Sequence, residues 1–168
     1  MSSFSSATPA QLTTDRLALR TWTAAEIAAV HHDTRSAHWA DDFPAEGDRL
    51  VASLLDDHPA WLGAYGHRLI VERDSGLAVG SIGLFWPPDD GALEIGYGIV
   101  ASRRGRGYAS EATRALTEFA LTAPGVHTVW ATVELPNPAS VRVLEKTGFR
   151  HRATEDDLAR FAITTPER

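Results

Sequence analysis

The chain of 168 residues contains no cysteine. That absence excludes thiolate nucleophiles and cysteine-ligated zinc, and it leaves no disulfide to hold a small fold together. No uninterrupted apolar run reaches the length a bilayer-spanning helix needs. Positive charge is in deficit as well: 16 Lys and Arg stand against 22 Asp and Glu, a net charge of -6. Broad contact with nucleic acid is therefore not expected, because such affinity comes from neutralising phosphates. Any anion bound by this chain must meet a local site. The opening MSSFSSATPAQ has neither the basic start nor the apolar segment of a signal peptide. Residues 1 to 11 are expected to be a flexible arm, with no membrane partner and the cytoplasm as the default location.

What is present is a chain with 43% hydrophobic residues, long enough to bury roughly two thirds of its unfolded surface. Residues 12 to 168 read as a single domain. DRLALR alternates as a strand does, and TAAEIAAVHHD follows as a helix capped by Thr23 with Glu26 three residues on. AEGDRLVASLLDDH is a second helix, amphipathic through Leu50, Val51, Leu54 and Leu55. HRLIVER, LAVGSIGLFW and ALEIGYGIV, separated by turns, form an antiparallel meander. From Ala109 the apolar positions Ala112, Leu116, Phe119 and Ala120 recur at helical spacing up to Pro124-Gly125, and Glu111, Arg114 and Glu118 are placed to pair along the exposed side. HTVWATVE is the next strand, a parallel neighbour of ALEIGYGIV because a helix separates them. Asn137 caps the last helix, Pro138 opens it and Gly148 follows its end, before two closing strands, GFRHRAT and ARFAITT. The predicted architecture is α/β (α+β): a mixed, mostly antiparallel sheet of about seven strands with about four helices.

The stretch RRGRGYASEA, residues 103 to 112, gathers positive charge where a strand hands over to a helix. Such a junction aims unpaired backbone N–H groups and the positive end of the helix dipole at one point, which suits phosphate. Gly105 and Gly107 let the backbone approach a ligand without Cβ in the way. Taken alone, SRRGRG equally describes a solvated basic turn. Neither the Gly-Lys-Ser/Thr ending of a P-loop nor a G-x-G-x-x-G after a first strand is present.

The pattern R-x-x-G-x-A, here Arg104, Gly107 and Ala109, resembles the acyl-CoA pyrophosphate loop of the GNAT superfamily of N-acetyltransferases. LTTDRLALR resembles that family's first strand, EIGYGIV its fourth, and NPASVRVLEKTGF its Asn-containing helix and Gly-Phe bulge; the combination is most similar to the branch containing the ribosomal-protein N-terminal acetyltransferases. The resemblance implies a GNAT fold whose central strands splay apart after Tyr97 at the CoA site. It implies that the amides of Gly105, Arg106, Gly107, Tyr108, Ala109 and Ser110, with Arg104 ahead of them, cradle the pyrophosphate of acetyl-CoA. Backbone groups around Tyr97 and Ile99 are implied to pair with pantetheine, and Asn137 to contact the same arm, although a helix cap explains Asn137 equally well.

Acetyl transfer requires a neutral amine, yet amines titrate near ~8 to ~10 and are largely protonated at neutral pH. Glu94 is the candidate base. In LEIGYG it shares a strand face with Gly96 and Gly98, which leave room for a ligand and for a water that relays the proton. An exposed N–H near Ile99 is placed to polarise the carbonyl. Many relatives carry a tyrosine seven residues beyond the Asn, where this chain has Leu144. Ser140 resembles the serine of the ribosomal-protein branch and is the candidate donor to the leaving sulfur, directly or by orienting a water.

The acceptor is less defined. HHDTRSAHWADDFPAEGD holds Asp41 and Asp42 beside Trp39 and Phe43, which would suit a cationic amine. They would equally suit a solvated loop packed down by its aromatics. The histidines lack a His-x-x-x-His pattern or paired carboxylates, so no metal is expected. The sequence-based reading is an N-acetyltransferase, monomer or homodimer, that passes acetyl directly to a small amine or a protein N-terminus. The alternative is a catalytically inactive acyl-CoA-binding module.

Overall fold

A computed structural model describes residues 10 to 165. The elements are β1 (Gln11–Thr13), β2 (Leu17–Thr21), α1 (Ala24–His31), α2 (Glu46–Leu55), β3 (His67–Glu72), β4 (Leu77–Leu84), β5 (Ala92–Ile99), α3 (Tyr108–Ala120), β6 (Thr128–Glu134), α4 (Pro138–Lys146), β7 (Arg150–Glu155) and β8 (Leu158–Thr164). They form an eight-stranded sheet of order β1-β2-β3-β4-β5-β6-β8-β7. All its pairings are antiparallel except β5 with β6, as the intervening helix requires. The three-residue β1, too short to show a period, is the strand absent from the sequence-based count. Most of the arm expected over residues 1 to 11 lies outside the described residues, and Gln11 already pairs with Arg20 in the β1–β2 ladder.

Local chemistry sets the helix ends. Thr23 and Glu26 form the expected capping box on α1, a device that stabilises a helix by about 1 kcal/mol. Asn137 caps α4 by accepting from Ser140 N, and Gly148 follows its end at φ 96. α3 stops at Ala120, short of Pro124. Glu111 does not pair with its helical neighbours; its carboxylate accepts from Thr14 Oγ1, Arg16 N and Arg16 Nε at 2.5 to 2.8 Å. Arg114 donates instead to the Lys146 carbonyl. A tertiary charge partner has displaced the i, i+3 pairing because it offers more donors to one carboxylate.

Two layers of helix flank the sheet. α3 packs against β2, β4 and β5 and against α4, while α2 meets the other face through Ser81 of β4. Leu17, Leu19, Leu69, Ile82, Leu84, Leu93 and Leu116 are buried between the layers, each contributing on the order of 1.5–3 kcal/mol by leaving water. In α2 the expected apolar stripe is rotated: Leu50 is 61% exposed, and Asp48, Ala52 and Leu55 face inward. Among the described residues no helix is long and apolar enough to cross a membrane.

Candidate functional site

The site starts from the hydrogen-bond parity of β5. Phe85 N donates to the Glu94 carbonyl and Val100 N to that of Val79, at 3.0 and 2.9 Å. Alternate residues of β5 thus spend their backbone on β4, and Tyr97 and Ile99 direct theirs toward β6. Yet β6 pairs only with Ala92, Leu93 and Glu94. The splay therefore begins after Glu94, three residues earlier than the expected point after Tyr97, because β6 continues in register with β8 while β5 stays with β4. A cleft of about 390 Å³ opens between them, lined by Tyr97, Thr132, Asn137 and Ser140 among others.

This cleft adjoins a larger cavity, about 530 Å³, walled by Tyr97, Ile99, Arg104, Gly105, Gly107, Tyr108, Ala109, Ser110, Asn137 and Ser140. Gly105 and Gly107 adopt φ of 80 and 82, a left-handed conformation that Cβ-bearing residues rarely take. Among the described residues no amide from Gly105 to Ser110 donates to a protein acceptor; the first helical bond runs from Glu111 N to the Gly107 carbonyl at 3.1 Å. Gly107 as N-cap supplies no side chain to cover them. Arg103, Arg104, Arg142 and Lys146 add positive charge to the walls. Unpartnered donors at a helix start inside a basic cavity have the chemistry that suits an anion such as a diphosphate.

The loop is held from beneath. Buried Glu72 accepts from Tyr108 Oη at 2.7 Å and from Ser75 Oγ at 2.6 Å, and pairs with Arg103 and Arg106 at 3.3 Å. Burial works to raise the Glu72 carboxyl, but these hydrogen bonds and the Arg103 charge hold it below the usual carboxylate range. Arg16 Nη1 donates to the Arg106 carbonyl at 2.7 Å. The Arg106 side chain turns to Glu72 and is absent from the cavity wall, unlike the other loop residues. The Arg104 Nε donates to the Ile99 carbonyl at 3.0 Å, which leaves that residue's N–H as its group facing the splay.

Cleft and cavity meet at the start of α4. Ser140 lines both, and its carbonyl accepts from Tyr97 Oη at 3.3 Å. Burial pushes the Tyr97 phenol up, partly opposed by that bond. Leu144 is fully buried in the core, so it is a packing residue, and the phenol present in the cleft comes from β5 instead. Glu94 occupies the last paired rung, opposite Trp130, whose ring stacks under Arg160 at 3.7 Å. Burial raises its carboxyl above the usual range, with the Arg160 charge acting the other way. Glu94 does not line these cavities, but Gly96, next on its face, does.

On the α2 side of β5 a third cavity, about 290 Å³, contains polar groups that sequence reasoning missed: Asp48, His67 and Ser81. Ser81 Oγ donates to Asp48 Oδ1 at 2.5 Å, and Ala45 N donates to Oδ2 at 2.8 Å. Burial raises the Asp48 carboxyl, against those two bonds. Burial, with the charge of His58, pulls His67 down to about 4, so its ring is neutral. His67 sits in an aromatic wall with Trp61 and Phe85. Asp48 three residues after the α2 cap is legible as a helix-capping acid, but nothing local signals its burial. Of the loop considered for the acceptor, Trp39 and Phe43 are buried and stacked edge to face, and Asp42 binds the Ser102 amide and hydroxyl. That loop follows the packed-down alternative.

Comparison with known proteins adds the following. The family described as Acetyltransferase (GNAT) domain matches residues 16–150. The uncharacterized N-acetyltransferase YjdG of Bacillus subtilis is 37% identical over 90 residues, 52% of this chain and 54% of that protein. The chain thus spans about half the length of the curated relatives it matches. Among solved structures, a GNAT-family acetyltransferase from Bacillus anthracis superposes with a TM-score of 0.67 at 23% identity, covering 92% of this chain and 98% of that one. The ribosomal L7/L12 alpha-N-protein acetyltransferase RimL, in complex with coenzyme A, gives 0.66 at 19% identity, covering 94% and 97%. Both likenesses concern the fold.

Proposed function

The chain belongs to the GNAT acetyltransferase family, and from that premise we propose that it is an acetyl-CoA-dependent N-acetyltransferase acting by direct transfer to a primary amine, a small molecule or a protein N-terminus, in the cytoplasm. The observation that carries this reading is the row of unpartnered amides from Gly105 to Ser110 above a basic cavity that runs to the open edge of β5. Those amides and Arg104 hold the diphosphate of the donor. The backbone of Tyr97 aligns its pantetheine arm, and the Ile99 N–H, the group of that residue left facing the splay, polarises the thioester carbonyl.

Glu94, its carboxyl raised by burial, takes the proton of the attacking amine through a water. The amine nitrogen then bonds to the carbonyl carbon, the carbon–sulfur bond breaks, and the sulfur leaves with the electron pair. The nitrogen, now carrying one proton too many, passes it by way of Ser140, or a water it orients, to that thiolate, giving the amide and free CoA, and Glu94 returns its own proton to solvent. Asn137 fixes Ser140 by accepting its amide at 3.2 Å. Leu144, which stands where many relatives carry a tyrosine, is explained by core packing. A thiol-release assay against an amine panel, with mass spectrometry for a gain of one acetyl group, tests the proposal; CoA binding with no turnover on any amine would contradict it.

A further inference from the structure

We propose, resting on the acetyltransferase reading, that Arg160 binds a carboxylate on the acceptor, which is therefore an amino acid: its amine reacts while its carboxylate is held. Arg160 stands on the same face of the sheet as the candidate base. Glu94 lies opposite Trp130 in the β5–β6 pair, Trp130 and Thr132 share a face of β6, and Arg160 lies opposite Thr132 in the β6–β8 pair. The other face of β6 and β8 is the core side, where Val129, Ala131, Val133, Ala159 and Phe161 are buried. Thr132, Glu134 and Arg160 are exposed, and Thr132 and Glu134 also line the cleft between β5 and β6. Gly96, next after Glu94 on this face, lines both that cleft and the α2-side cavity. Arg160 is thus at the rim of the cleft, on the side of the sheet that carries the base.

The guanidinium is held in place but not neutralised. Arg160 Cζ sits 3.7 Å from the centroid of the Trp130 ring, a stack that uses the flat face of the guanidinium and leaves its N–H edge for a planar anion. Among the described residues Arg160 forms no ion pair. The other charged side chains on this face, Glu134 of β6 with Arg150 and Glu155 of β7, leave it unpaired as well. Its charge nevertheless reaches Glu94, where it opposes the upward push of burial on the carboxyl. Shielding an aromatic ring would explain the stack alone. It does not explain why the cation so fixed acts on the base without bonding to it, which leaves it available to a second anion.

The chemistry of the reaction favours such a handle. The attacking nitrogen has to be neutral, so its own charge cannot be what holds the acceptor through the step. A carboxylate stays ionised throughout and meets a guanidinium edge with two parallel N–H···O bonds. Glu94 and Arg160 lie on strands separated by β6 alone, a Cα spacing on the order of 10 Å. The Arg160 side chain already enters that gap by lying over Trp130. An amine a few bonds from a carboxylate spans what remains, up to a water on Glu94. A polyamine would instead bring a second cation against Arg160, which Coulomb repulsion disfavours.

The test uses the full chain, acetyl-CoA and matched acceptor probes: L-phenylalanine with L-phenylalaninamide, L-leucine with L-leucinamide, and 4-aminobutyrate with 4-aminobutanamide. Thiol release gives kcat/KM for each, and the readout is the acid-to-amide ratio, in which effects on acetyl-CoA binding cancel. At least one acid is expected to exceed its amide about tenfold or more, even though the amide carries the less basic amine. Arg160→Met keeps an aliphatic cover on Trp130 and removes the charge; it should lower that ratio about tenfold, with the acetyl-CoA KM held. Arg160→Lys, which keeps the charge but not the fork, should fall between the two. Amides used as well as acids in every pair, no turnover of any acid although acetyl-CoA raises Tm, or an unchanged ratio in Arg160→Met would overturn the assignment. An equal loss for acid and amide with a lowered Tm would do the same, because it is the mark of ring shielding. Absence of any thermal shift with acetyl-CoA would instead overturn the acetyltransferase reading beneath it.

Discussion

On the α3 side of β5, the groups proposed to hold an anion come from one continuous stretch, Arg104 to Ser110, where strand, glycines and helix start follow each other in sequence. On the α2 side, Asp48, His67 and Ser81 come from α2, β3 and β4 and meet only because the sheet brings those elements together. The first site is built from backbone, so its requirements are written as positions that must lack a Cβ. The second is built from side chains whose meaning depends on burial, and burial is a property of the finished fold.

The largest effect should come at the strand both sides share. Glu94→Gln should lower kcat about 100-fold while leaving acetyl-CoA affinity intact, measured by steady-state kinetics with a saturating amine. In the unaltered protein the rate should fall as pH drops through the Glu94 pKa, and because burial raises that pKa, the loss begins at higher pH than for an ordinary glutamate. Equal damage to both substrates' KM would mean that Glu94 only supports the β5–β6 junction.

Next in size is a break confined to the donor side. Gly107→Val forces a β-branched residue to φ 82 at the head of α3, a strain on the order of 1–3 kcal/mol. Acetyl-CoA affinity by calorimetry should drop about tenfold or more, with the amine KM unchanged.

The smallest effect concerns what holds the loop in place. Glu72→Gln removes the charge beneath Arg103, Arg106 and Tyr108 and should cost about 1 kcal/mol of stability by denaturant titration. A carboxyl held below its ordinary range stabilises the fold at pH above that range, and the contribution disappears as pH falls through the lowered value. The variant should therefore show a flatter decline of Tm on the acid side.

How far the sequence carried the fold follows the same division. Capping at Thr23 and Asn137, the parallel β5–β6 pairing and the loop geometry at Gly105 and Gly107 are local rules, and the structure follows them. Leu50 was expected inside and is exposed, because Asp48, bound to Ser81, turns α2 about its axis. Glu111 was expected to pair within its helix, and Arg16, in the turn before β2, claims it. In each case a partner distant in sequence outweighed a neighbour. The start of the splay at Glu94, earlier than Tyr97, likewise depends on β8 holding β6.

The claim on which the rest depends is that main-chain donors at the start of α3 grip the diphosphate. Amide-resolved NMR with CoA added to saturation tests it most directly. The resonances of Gly105 through Ser110 should shift together and their exchange with solvent should slow; CoA binding that leaves those amides unmoved would contradict the account.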